Sequence, residues 1–181
     1  MTPSLTRVLL GPEPGASEIH GPADDATRVE SVLVLTAAVS FVAGVIHIAA
    51  SVDHYREFVL YTAVFALLAA FQIGWAVAIT RRCSQRLLIV GIAVNAGIIA
   101  LWIASRTVGV PIAPRPWVPE EVGAADVMAT IAESMIVLAA TCALMSGRSP
   151  LARRALARLA PALLAVTFLC VTLGVGAGHA G

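Results

Sequence analysis

The chain has 181 residues, of which 59% are hydrophobic and only 13% charged, with a formal net charge of +1. Its mean hydropathy of +0.88 lies well outside the range of a soluble domain and excludes a water-soluble globular fold. What remains is a polytopic membrane protein, and the elements follow in chain order.

Residues 1–30 are rich in Pro, Gly and acids and carry no sustained periodicity, so they read as a flexible cytoplasmic tail. The first apolar run starts near residue 31 with no small-residue cleavage site close behind a basic start, which argues against a cleavable signal peptide. His20 in this tail, and His179 at the opposite terminus, are expected to be solvated.

Five stretches are long enough for a hydrocarbon core of ~30 Å, which takes ~20 helical residues. They run over about 32–50, 58–80, 87–104, 127–145 and 159–178, and the acid Glu133 is the one formal charge inside them. The runs are too continuous for the alternation of a membrane barrel. The expected fold is therefore an all-α polytopic bundle with five transmembrane helices. Residues 31–181 make a single membrane domain, in which four helices have polar stripes that face one another. The fifth, with Pro161 and almost no polar side chain, is expected at the periphery.

Every basic side chain other than histidine is an arginine. The connections after the second and fourth spans hold Arg81, Arg82, Arg86, Arg148, Arg153, Arg154 and Arg158 and no acid. Those on the other face hold Arg56, Arg106 and Arg115 against Asp53, Glu57, Glu120, Glu121 and Asp126. Retention of positive charge inside puts the N-terminus in the cytoplasm and the C-terminus outside, in the plasma (inner) membrane. The charge asymmetry reports topology, and no nucleic-acid partner follows from it. The expected partners are the lipid bilayer and either a membrane protein or a second copy of the chain.

The longest connection, residues 105–126, contains Pro111, Pro114, Pro116, Pro119 and Trp117. Such proline density rules out a regular helix, and an indole suits the membrane interface; an ordered outer loop is expected. Cys83, Cys142 and Cys170 lie at unmatched depths, so no disulfide is expected and all three read as packing residues.

The stretch GVIHIAASVDHYREFVLY, residues 44–61, breaks the apolar pattern. Ser51 and Asp53 fit an N-cap and first turn of the second helix, making the stretch a tight hairpin on the outer face. His54 and Glu57 then share a face with Tyr61, Phe65, Leu68 and Gln72. Thr36, Ser40, Gly44 and His47 form the matching stripe on the first helix, with Ser40 and Gly44 as a small-xxx-small packing step. The third helix offers Gly91, Asn95 and Trp102, and the fourth Asp126, Thr130, Glu133 and Val137.

His47, His54, Glu57, Asp126 and Glu133 supply imidazole nitrogens and carboxylate oxygens, the ligand set of a transition metal ion such as Zn, Cu, Fe or Mn. The spacing is less specific than HExxH, and two histidines at one end of adjacent helices disfavour haem. Two other readings stay open. One is a hydrogen-bonded cap, with Arg56 or Arg106 neutralising the acids; the other is a proton or ion pathway, because intramembrane ionisable residues serve function by default. Glu133, at about 10 Å or more into its helix, fits the cap least well. No nucleophile elbow, P-loop or Rossmann glycine set points to an enzyme.

Three motifs carry a resemblance: HxxxxxxHxxE at His47, His54 and Glu57, SRTxGxP at Ser105–Pro111, and ExVGxxDxxATxxE at Glu120–Glu133. Over about residues 41–137 the chain resembles a group of small bacterial multi-pass membrane proteins with no assigned activity. The resemblance implies a membrane helical bundle and transfers no residue role. Two expectations follow for function: an outer-face metal site, or a structural or accessory subunit whose cluster only ties helices together.

Overall fold

The computed structural model describes residues 22–56, 58–146 and 150–177; Glu57, His20 and His179 lie outside them. Five helices follow in order: α1 (Pro22–Asp53), α2 (Val59–Arg81), α3 (Gln85–Thr107), α4 (Ala124–Ser146) and α5 (Pro150–Ala177), with a single 3-10 turn at His54–Arg56. Among the described residues four helices are long and apolar enough to cross a membrane: α1 with its 3-10 extension, α2, α3 and α4. Large apolar side chains on their outer surfaces, such as Phe41, Leu67, Ile89 and Ile103, are exposed in the isolated chain. A lipid-facing surface accounts for a pattern that water would not tolerate.

α1 begins at Pro22, upstream of the expected start, so part of the segment assigned to the tail is helical. Proline suits the first turn of a helix, where its missing N–H is an orphan in any case. The other end of α1 is also corrected. No glycine or proline interrupts residues 45–56, and the helix runs on through Ser51 to Asp53. Neither residue caps α2, whose N-cap is Phe58 with no side-chain hydrogen bond. The Ser51 hydroxyl instead donates to the Thr62 carbonyl at 2.9 Å, tying α1 to the first turn of α2.

α1 and α4 form the centre. α1 packs against α2, α4 and α5; α4 packs against α1, α3 and α5; α2 and α3 touch each other sparsely. A Cβ at Gly44 would meet Ile73 at 2.8 Å, so the small-residue step of α1 does set its close approach to α2. Chain direction gives the bundle two ends. The 108–123 loop and the 3-10 turn share the "loop end"; the α2–α3 connection with Arg81, Arg82 and Arg86 marks the "arginine end".

The dense core lies in the arginine half. Ala132, Ile136, Ala139, Ala140, Leu156 and Leu163 are fully excluded from solvent and cluster with Val32, Val39, Trp75 and Ile79. α5 contributes Leu156 and Leu163 to that cluster, so although it stands outside the polar interior it is an integral part of the packing. Cys142 is half-buried and Cys170 buried, as packing cysteines should be, but Cys83 is exposed in the α2–α3 connection and the packing reading fails there.

Candidate functional site

Among the described residues three polar ties between side chains cross the bundle, one above another. Nearest the arginine end, the Ser40 hydroxyl donates to Gln72 Oε1 at 2.6 Å, and Gln72 Nε2 donates to Asn95 Oδ1 at 2.8 Å. Asn95 Nδ2 then donates to the Gly91 carbonyl within its own helix. All three side chains are fully buried, and each finds a partner, as an apolar medium demands. The chain Ser40–Gln72–Asn95 ties α1, α2 and α3 at one level. Thr130, assigned to the same polar interior, bonds only back to Asp126 in its own helix.

At the second level His47 Nε2 lies 3.1 Å from Glu133 Oε1, joining α1 to α4. His47 is 4% exposed and Glu133 1%, so neither is solvated by bulk water. With one proton shared between them, the pair is net neutral whether the proton rests on imidazole or carboxylate. That neutrality makes an otherwise costly intramembrane carboxylate tolerable.

The third level is the loop end. Arg106 Nη1 donates to Glu120 Oε2 at 2.5 Å and Nη2 to Asp126 Oδ2 at 2.6 Å, while Nη1 also reaches Ser105 Oγ at 3.0 Å. The Tyr61 hydroxyl donates to Glu120 Oε1, bringing α2 into the cluster. The loop is held in place as well: Glu120 N–H donates to the Ser105 carbonyl and Trp117 N–H to the Val110 carbonyl.

Of the five sequence-derived metal candidates, the four that are described do not gather at one centre. His47 and Glu133 meet each other. Asp126 is taken by Arg106. His54 sits in the 3-10 turn with its ring stacked on Phe65, centroids 5.4 Å apart, and against the edge of Tyr61. Glu57 lies outside the described residues. Among the described residues no group of three or more His, Cys, Asp or Glu side chains comes together in a way that could hold a metal ion. Arg106 pairs with Asp126 and Glu120, and Glu133 with His47, so these carboxylates are divided between separate partners.

Between the second and third levels lies what the sequence did not announce. A cavity of about 140 Å³ opens where α2 and α3 diverge, with His47 and Glu133 at its base and Tyr61, Arg106, Glu120 and Asp126 at its loop end. Ile46, Val64, Leu68, Ile98 and Leu101 give it apolar walls. Phe65 and Trp102 line it too. Glu120 opens the third sequence motif and counts among the acids of that face, but its pairing with Arg106 depends on a loop path that no helical period encodes. Comparison with known protein families, characterised proteins and solved structures finds no match to this chain.

Proposed function

We propose that this is a multi-pass integral membrane protein that binds a small molecule in the chamber between α2 and α3. In this reading all five helices cross the plasma membrane. The arginine end faces the cytoplasm, the C-terminus lies outside, and the chamber belongs to the outward half. The same proposal places the chain among the small bacterial membrane proteins that its motifs resemble. The role is binding, without an assigned reaction.

The observation that carries the reading is the chamber itself. A partly open chamber of about 140 Å³, with apolar walls around a few convergent polar groups, has the form of a small-molecule site. One larger side chain at Ala129, a buried alanine of the wall, would remove it. The ionisable pair His47–Glu133 lines the chamber.

The competing reading, a structural or accessory subunit, draws on the three polar ties, because each links helices through partners supplied by the protein. Binding of fluorobenzene to protein in lipid nanodiscs, followed by the fluorine resonance, separates the two. A chamber gives saturable binding in the wild type that Ala129→Phe abolishes. A purely structural bundle gives none beyond partitioning into lipid. Orientation is tested by single-cysteine labelling from outside: Trp117→Cys and Glu120→Cys should react with an impermeant reagent, and Ser84→Cys and Pro150→Cys should not.

A further inference from the structure

We infer that the chamber takes an uncharged ligand built from one small ring and a carbonyl-type oxygen: a ketone, quinone, ester or amide. The inference rests on the binding reading above and adds the chemical class. Size comes first. A volume of about 140 Å³ is close to the ~150 Å³ apolar cavity that admits benzene, which limits the ligand to about one six-membered ring with a short substituent. Walls of Ile98, Leu101, Val64 and Leu68 require that ring to be apolar.

The head group follows from what the protein leaves unmade. Trp102 Nε1 and Arg106 Nε are buried and have no hydrogen-bond partner. Both belong to residues that line the chamber, and positions 102 and 106 lie one turn apart on the same face of α3. Both are obligate donors, so the missing partner is an acceptor. A buried donor left unmade is costly and rare in native structures, which makes two on one wall a specific demand.

Charge decides between acceptors. Carboxylate or phosphate oxygens would accept well, but Arg106 already faces Glu120 and Asp126, two carboxylates against one guanidinium. An anion would enter a field that is already negative. A cation would need those carboxylates as partners, and the oxygens that Arg106, Tyr61 and Gly123 occupy are not open to it. The base of the chamber is the buried pair His47 and Glu133, each already partnered by the other. A neutral carbonyl oxygen is an acceptor that can pair with an orphan N–H of this wall without adding charge beside Glu120 and Asp126.

The test uses the full chain in lipid nanodiscs, with empty nanodiscs subtracted, and calorimetric titration of four compounds of similar size. Acetophenone carries the carbonyl; α-methylstyrene has the same shape with a methylene in place of oxygen; benzoate and benzyltrimethylammonium carry the two charges. Acetophenone is expected to bind about tenfold more tightly than α-methylstyrene, the worth of one to two hydrogen bonds. Trp102→Phe, which keeps an aromatic wall and deletes the N–H, should shrink that ratio to about two. Equal binding of acetophenone and α-methylstyrene by the wild type overturns the carbonyl assignment while leaving the chamber intact. So does tighter binding of either charged compound. If none of the four binds, the chamber reading fails with it.

Discussion

The two halves of the bundle solve the same problem in opposite ways. Toward the arginine end, α1, α4 and α5 meet through alanine, valine, isoleucine and leucine packed to exclusion, and there α4 shows its neighbours Ala132, Ile136, Ala139 and Ala140. Toward the loop end the same α4 presents Asp126, Ala129, Thr130 and Glu133 to a chamber. Small residues bring helices into contact in the first half and leave space in the second. In lipid, where apolar contact with a neighbouring helix is scarcely better than contact with acyl chains, close packing holds one half and hydrogen bonding the other. Where polar ties carry the cohesion, the packing between them can remain open.

Equal substitutions in the two halves break this contrast most sharply. Ala139→Phe forces a ring into the excluded α1–α4–α5 contact and should cost about 3 kcal/mol or more, whereas Ala129→Phe should stay within about 1 kcal/mol because the chamber receives it. Reversible unfolding in detergent, read by helical circular dichroism, checks both. A large penalty at Ala129 would show that the chamber is not available space. Next in size is Glu133→Ala, which strands the His47 imidazole among apolar groups and should cost about 2 kcal/mol. Glu133→Gln keeps an acceptor for the ring and should cost about 1 kcal/mol or less. The difference between the two variants measures the second tie.

The depth of Glu133 and His47 was legible before any coordinates, because an acid two turns inside an apolar helix must find a partner and a histidine one turn below the same face is within reach. So were the helical runs themselves, since continuous apolarity survives errors of a few residues at each end. What failed was local. Ser51 and Asp53 have the composition of a helix start, but a residue inside an unbroken helix can spend its hydroxyl on a neighbouring helix, as Ser51 does on the Thr62 carbonyl. Asp126 was grouped with the histidines because depth alone was available. Which of Arg56 and Arg106 would claim it depended on how residues 108–123 fold, and proline-rich chain has no period from which to read a path. The divergence of α2 from α3 has no sequence signature of its own.

Smaller effects sharpen the picture at single side chains. Trp75→Phe deletes the hydrogen bond from the indole to the Leu87 carbonyl, at 2.8 Å, and should cost about 1 kcal/mol. His54→Ala should cost less than that, since His54 is half-buried and its ring lies against Phe65 and Tyr61. It should also leave the metal content of purified protein unchanged, as elemental analysis would report. Stoichiometric metal in the wild type that vanishes in His54→Ala would return the histidines to a shared centre.

The contact between Trp75 and Gly91 has a mechanical consequence. A Cβ at Gly91 would collide with the Trp75 ring, so α2 and α3 are pressed together at that point, and the Gln72–Asn95 bond fastens them a short distance further along. Beyond it they part around the chamber, where the loop residue Glu120 bridges them, accepting from the Tyr61 hydroxyl of α2 and from the Arg106 guanidinium of α3. Two rods in contact at one end and bridged at the other through a single loop carboxylate form a pair of latched tongs, whose mouth widens where Glu120 lets go of Tyr61 or of Arg106.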